Sequence, residues 1–158
     1  MRRNDREIKD RAEILAVMRR CAVCHLALND ADGYPYVLPL NFGVEERNGR
    51  VVLYFHSALT GKKLDLLARD GRAAFAVDTK HQLQYFEEKG YCTYAYESVL
   101  GRGRLRLLAE EEKAATLDAL MEHYHPGEHA YYNPAAIPRT AVYALEVEQL
   151  TGKRKLPK

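Results

Sequence analysis

A mainly β fold with peripheral helices is the class that this sequence of 158 residues predicts. Three observations carry that expectation. Short runs rich in Val, Tyr, Phe and Thr recur between turn residues, at 51–57, 73–79, 91–108 and 140–150. Apolar residues at helical spacing occupy a few scattered segments that do not alternate with the strands. No G-x-G-x-x-G opens a helix after a strand, which argues against a doubly wound nucleotide fold and for a small β-barrel. With 47% hydrophobic and 29% charged residues and a formal net charge of +2, the chain reads as one ordinary globular domain over 1–158.

Taken in order, residues 5–20 read as an amphipathic helix capped by Asn4 or Asp5, with Ile8, Ala12, Leu15 and Met18 on one face. Residues 21–28 read as a strand and 29–33 as a turn cluster. A second strand over 34–44 contains Pro35 and Pro39, which restricts it to an edge, a bulge or a strand start. Asn48-Gly49 marks a hairpin into the strand 51–57. A short helix over 62–68 closes at Asp70-Gly71, and the strand 73–79 follows. Residues 80–90 are polar and irregular, as in a loop. Residues 91–108 hold one or two strands around Gly101 and Gly103. The helix 109–125 opens on three glutamates, buries Ala114, Leu117, Leu120, Met121 and Tyr124, and stops at Pro126-Gly127. A loop over 128–139, a strand over 140–150 and a basic tail over 151–158 complete the chain.

Residues 51–63 hold the most informative chemistry. A β run ends in His56-Ser57, a turn with Gly61 follows, and Lys62-Lys63 open a helix. The first N–H groups of a helix lack internal partners and the helix dipole favours negative charge there. Ser57, Lys62 and Lys63 add side-chain donors, so this corner suits a phosphate. A basic helix start that merely meets solvent is the competing reading of the local pattern.

The residues that precede and follow this corner carry a resemblance. The blocks Pro35-Tyr36-Val37-Leu38-Pro39-Leu40-Asn41-Phe42-Gly43, Leu53-Tyr54-Phe55-His56-Ser57-Ala58, Gly61-Lys62-Lys63 and Ser98-Val99-Leu100-Gly101-Arg102-Gly103 resemble the FMN-binding split-barrel family. Within it the chain is most similar to nitroimidazole-resistance (Nim) type flavoproteins, relatives of pyridoxamine 5′-phosphate oxidase. The strand with Thr140 and Val142 and the segment Leu150-Thr151-Gly152-Lys153 extend the resemblance over about residues 6–153.

The resemblance implies a homodimeric, six-stranded Greek-key split barrel with FMN at the subunit interface. It implies the flavin phosphate at Ser57, Lys62 and Lys63, beside Gly61. The backbone of Leu38, Pro39, Leu40 and Asn41 would line the flavin ring, with Phe42 and Phe55 packing its apolar part. His56 would lie near the ring on the substrate side, as the catalytic residue. Tyr96, Ser98 and Lys153 would come from the neighbouring subunit. The implied activity is reduction of small organic acceptors such as nitroaromatics, with NADH or NADPH docking transiently as donor. Nothing resembles the residues by which pyridoxamine-phosphate oxidases hold their vitamin substrate, so vitamin B6 oxidation is not expected. Left open are a protein that holds or senses flavin without turnover, and a split barrel that takes haem or the deazaflavin F420.

Other residue groups have plainer readings. Cys21-Ala22-Val23-Cys24-His25 matches a haem-attachment pattern, but its strand-like apolar context favours buried thiols, and no metal is expected. His123, His125 and His129 cluster near a helix end, where positive charge is favourable. Tyr85, Phe86, Tyr91, Tyr94 and Tyr96 suit a barrel interior or a dimer interface better than a nucleic-acid platform. Arg102, Arg104 and Arg106 alternate on one strand face. No apolar run is long enough to span a membrane, and no secretory leader is legible, so a cytoplasmic protein with reduced cysteines is expected.

Overall fold

The computed structural model describes residues 3–128 and 131–158. Among the described residues, eight antiparallel strands form one sheet, with three α-helices on its surface. The expectation of six strands therefore changes, because one expected strand is split and a short N-terminal one is added. The strands are β1 (Glu7–Ile8), β2 (Cys24–Asn29), β3 (Pro35–Leu40), β4 (Gly43–Arg47), β5 (Arg50–Ala58), β6 (Arg72–Phe86), β7 (Tyr91–Leu107) and β8 (Thr140–Lys155). The helices are α1 (Arg11–Arg19), α2 (Lys62–Arg69) and α3 (Glu110–Tyr124).

The sheet order is β3-β2-β6-β7-β8-β5-β4, with β1 on β8. β3 and β4 are the two ends of that order, yet only Asn41 and Phe42 separate them in the chain. Two residues span at most about 7 Å, so the sheet must curl until its edges nearly meet. The inward faces then enclose a core of Leu26, Leu28, Leu53, Phe55, Val77, Val99, Tyr143 and Leu145. Both prolines of β3 lie on an edge strand, where a missing N–H costs least.

Three expected boundaries move for identifiable reasons. The N-terminal helix starts at Arg11, not near residue 5, because the Asp10 carboxylate accepts from the Ala12 N–H at 3.1 Å and caps it there. Glu7–Ile8 instead pairs with Lys153 and Gly152, and a side chain at Gly152 would strike Ile14 and Ile8. Residues 80–86, read as loop, continue β6 past a bulge at Thr79/Gln82, with Lys80 at φ 54°. Residues 151–155, read as tail, continue β8 between β7 and β1. β7 is one strand through both glycines. A Cβ on Gly103 would sit 1.9 Å from the Glu146 carbonyl oxygen, so only glycine permits that approach of β8.

The short helices match their pattern more closely. Asn48 and Gly49 both have positive φ in the β4–β5 hairpin, as the Asn-Gly signature requires. α2 buries Leu66, and α3 buries Leu117 and Leu120 together with Thr116. Ala114, expected in the buried stripe of α3, is exposed, and Met121 and Tyr124 are partly buried. No helix among the described residues is long and apolar enough to cross a membrane.

Candidate functional site at the β5–α2 corner

β5 alternates strictly. Leu53 and Phe55 face the barrel core, while Tyr54 packs under α3 with Val52. His56 and Ser57 end the strand opposite Val142 and Ala141 of β8. The His56 ring is half-buried, and its Nδ1 has no hydrogen-bond partner. Burial, then the neighbouring charge of Lys63, hold the imidazole below its usual pKa. A neutral ring with an orphaned polar nitrogen is the clearest unsatisfied group at this corner.

α2 starts immediately beyond. Gly61, at φ 134°, takes a conformation suited to glycine and caps the helix. Leu64 and Asp65 donate back to the Gly61 carbonyl at 2.9 and 3.3 Å, so Lys62 and Lys63 carry the first-turn N–H groups. The structure divides these two lysines. Lys62 Nζ lies 2.5 Å from the Asp30 carboxylate and 5.0 Å from the centre of the Tyr36 ring. Lys63 is the one whose charge reaches His56. No sequence signal identified Asp30 as the partner of Lys62, because the two meet only through the packing of the 29–33 turn against α2.

β3 offers Leu38 and Leu40 to the core and leaves Pro39 and Asn41 exposed. Its outer edge has no strand partner, so its backbone polar groups on that side are free for a ligand. Phe55 and Phe42 are fully buried. Phe55 stacks on Tyr143 at 5.6 Å and Phe42 packs on His123 at 4.5 Å. Neither ring is available to a ligand, which corrects the expectation that they pack a flavin. Burial pushes the Tyr143 hydroxyl up to about 12.

A second group gathers on β7 and β8. Ser98 stands opposite Lys153, and Lys153 Nζ lies 6.0 Å from the Tyr96 ring centre. Burial acts to raise the Tyr96 hydroxyl, but Arg6 and Lys153 outweigh it and hold its pKa low. Arg6 was not singled out from sequence; the β1–β8 pairing brings it here. Between Val142 beside His56 and Lys153 beside Ser98, β8 runs roughly 36 Å at about 3.3 Å per residue. The chain thus holds two polar groups of residues, at the two ends of its longest-range strand.

The other sequence candidates have local partners. Cys21 and Cys24 are buried, and burial pushes their thiols up to about 11 and about 12. Cys21 follows α1 and does not belong to β2, so the strand expected from residue 21 begins at Cys24. His123 is not solvent-facing: its Nε2 meets the Cys21 carbonyl at 2.8 Å and its ring contacts Phe42 and Tyr124. His125 is exposed near Glu128, and His129 lies outside the described residues. Arg104 pairs with Glu148 at 3.5 Å and Arg106 with Glu112 at 2.9 Å. Tyr85, Tyr91 and Tyr94 are exposed, so the barrel-interior reading fails for them. Among the described residues no three His, Cys, Asp or Glu side chains converge as a metal site. A cleft of about 980 Å³ lies between β4, β5 and α3, where Arg50, Arg106, Glu112 and Glu146 neutralise one another.

Known proteins share this fold. Residues 10–154 match the family model described as pyridoxamine 5′-phosphate oxidase. A solved structure of a candidate 5-nitroimidazole antibiotic resistance protein from Bacteroides thetaiotaomicron is 30% identical, with a TM-score of 0.81 over 94% of this chain and 86% of that one. The flavocytochrome Anf3 from Azotobacter vinelandii is 22% identical, with a TM-score of 0.80 over 99% and 72%. An FAD and heme binding protein from Mycobacterium smegmatis is also 22% identical, with a TM-score of 0.81 over 96% and 74%. The last two likenesses speak to the fold alone. No curated protein matches the sequence.

Proposed function

The chain belongs to the pyridoxamine 5′-phosphate oxidase family, and from that premise we propose that it binds FMN as a homodimer and reduces small organic acceptors such as nitroaromatics. The observation that carries the proposal is the β5–α2 corner: a neutral, half-buried His56 with a free Nδ1, next to Lys63 and the opening N–H groups of α2. Such a corner fits a phosphate and, beside it, a flat polar-edged ring. The name of the Bacteroides relative supports an acceptor of the nitroimidazole type.

FMN, when bound, would relay electrons from a reduced nicotinamide to the acceptor. The chain's own residues have narrower roles. Lys63 and the first-turn N–H groups bind the phosphate, with Ser57 able to add its hydroxyl once released from the Ala58 carbonyl at 2.9 Å. Lys62, held by Asp30, shapes the corner and contributes less charge to the ligand. The free edge of β3 from Leu38 to Leu40, with Asn41 just beyond it, offers backbone groups to the ring. His56 supplies a hydrogen bond or a proton beside the reacting acceptor. Tyr96, Ser98 and Lys153 reach the flavin of the other subunit. Vitamin B6 oxidation is not part of the proposal.

A second reading exchanges FMN for FAD. It draws on a cleft of about 640 Å³ whose lining includes Arg6, Lys155 and Lys158 beside Asp5 and Glu7, with Arg3 already held by Asp5 and Arg154 by Glu97, and which Arg6 joins to Tyr96. A second phosphate would find cations there. The deciding experiment is the visible spectrum of the purified protein before and after incubation with FMN or FAD and desalting, followed by chromatography of the released flavin. Retained FMN with acceptor-dependent oxidation of NADH or NADPH supports the proposal. Retained FAD selects the second reading. Retained FMN without turnover leaves a flavin-binding protein, and no retained flavin overturns both.

A further inference from the structure

Tyr143 is a core residue with a polar end. It is 1% exposed, lies in β8 opposite Phe55 of β5, and stacks on the Phe55 ring at 5.6 Å. Its ring serves the packing of the barrel, but its hydroxyl does not. The hydroxyl oxygen is buried and has no hydrogen-bond partner among the described residues. Phenylalanine would fill the same place without that cost, since a buried donor left unsatisfied gives up its hydration and gains nothing in return.

This hydroxyl lies behind the β5–α2 corner. Strand alternation puts Ser57 on the same face of β5 as Leu53 and Phe55, the face turned towards the core. Ser57 pairs with Ala141, two residues before Tyr143, so Ser57 and Tyr143 are diagonal neighbours within reach of a tyrosine side chain. After burial, Ser57 is the side chain that acts on the Tyr143 hydroxyl, which keeps its proton with a pKa pushed up to about 12. The two hydroxyls nevertheless make no bond to each other, because Ser57 directs its single proton to the Ala58 carbonyl at 2.9 Å. A serine hydroxyl has one donor and two acceptor sites, so it can donate to one group and accept from another.

We propose that Tyr143 is a positioning residue: its hydroxyl donates to Ser57 Oγ and turns the serine proton from the Ala58 carbonyl to a phosphate held at the start of α2. The inference rests on the phosphate site proposed for this corner and adds a buried donor behind the serine. The rearrangement satisfies both groups. The phosphate oxygen accepts from Ser57, Ser57 accepts from Tyr143, and the orphaned hydroxyl gains its partner. Hydrogen bonds in such a chain polarise one another, and within a low-dielectric wall each is stronger than in water. Tyr143 thus strengthens a contact that it does not itself make, and it does so only for ligands that carry a phosphate.

Tyr143→Phe tests this, because it removes the hydroxyl and keeps the ring. The apoprotein should hold its urea midpoint or raise it, since a buried orphan is gone. In fluorescence titrations FMN should bind roughly tenfold more weakly, the size of one hydrogen bond to a charged group, while riboflavin binds as it does to the wild type. Ser57→Ala should weaken FMN by at least as much. The double variant should lose no more than Ser57→Ala alone, because the tyrosine acts only through the serine. Four results overturn the positioning role: wild-type FMN affinity in Tyr143→Phe, equal losses for FMN and riboflavin, a loss that adds to that of Ser57→Ala, or a variant that loses stability or fails to fold. In each of these cases, a Lys63→Ala variant that weakens FMN and spares riboflavin leaves the phosphate site standing. A wild-type protein that binds FMN no more tightly than riboflavin overturns both.

Discussion

His56 and Glu97 are both polar groups drawn into the barrel wall, and the fold treats them oppositely. Glu97 is 2% exposed and sits among three cations: Arg154 at 2.7 Å, Arg20 at 2.8 Å and Lys80 at 3.4 Å. Burial works to raise its pKa, and Arg20, Arg154 and Lys80 overcome it and hold the carboxyl low. Glu13 bridges Arg20 and Arg154 from α1, so the network ties the helix to β7 and β8. His56 has no such company: its Nδ1 is unpartnered, and its neighbour Lys63 is a cation that disfavours protonation of the ring. A buried charge whose partners are all supplied by the chain is structural. A half-buried ring left unsatisfied, at a helix start with free N–H groups, has a partner still to come.

Glu97→Ala should show the largest effect. Removing the shared carboxylate leaves three cations facing one another, and equilibrium urea unfolding should fall by about 3 kcal/mol, the low end for a broken buried pair because the cations partly reach water. An unchanged unfolding midpoint would end the contrast. His56→Ala should do the reverse: stability within about 0.5 kcal/mol, flavin retained, and steady-state turnover down roughly a hundredfold. Turnover at the wild-type rate removes His56 from the chemistry.

The two lysines sharpen the comparison within the corner. Lys63→Ala should weaken FMN by roughly tenfold, the size of one charge-assisted contact, and leave riboflavin unchanged, because only FMN carries the phosphate. Lys62→Ala should affect FMN less, since Asp30 already holds that ammonium. Fluorescence titration with both ligands reads the difference, and equal losses for FMN and riboflavin would remove the phosphate from this corner.

The smallest effect is in the pH profile. The pKa values of His56 and His123 are both lowered in the fold, chiefly by burial. Below the ordinary histidine value of about 6.5, the unfolded chain takes up protons that the folded chain refuses, so stability falls as pH drops. Urea midpoints of the apoprotein between pH 7.5 and 5.5 should decline, and His56→Gln should flatten the decline. The Glu97 contribution has the same sign but a lower window, being lost only below the ordinary carboxylate range of about 4.3.

The corner itself was legible because its signals are local. A β run, a glycine and two lysines lie within one short stretch, and β5 and α2 form there. The asymmetry between Lys62 and Lys63 was not legible, because it depends on Asp30, which arrives from a different turn. Residues 80–86 read as a loop for a related reason. In Leu83, Tyr85 and the polar residues between them, the strand pattern is present, but its apolar side faces outward and its polar side inward. Without a core to explain it, such alternation looks irregular. The sequence pattern ends β8 at residue 150 because Lys153, Arg154 and Lys155 read as solvent-seeking. Pairing with β7 and the carboxylates of Glu13 and Glu97 keep Arg154 in the wall instead.

The position of β8 also sets an order of assembly. It is the last strand of the eight to leave the ribosome, yet it lies between β5 and β7 and carries β1 on its far end. Until it emerges, the nascent chain can build only a β4–β5 hairpin and a separate β3-β2-β6-β7 sheet, each with an unpaired edge and an apolar face towards water. Closing them requires contacts between the two ends of the chain, the slow, non-local kind. The protein should therefore acquire protease resistance in a single late step after the final strand is free, and before that step it is a natural client for chaperones.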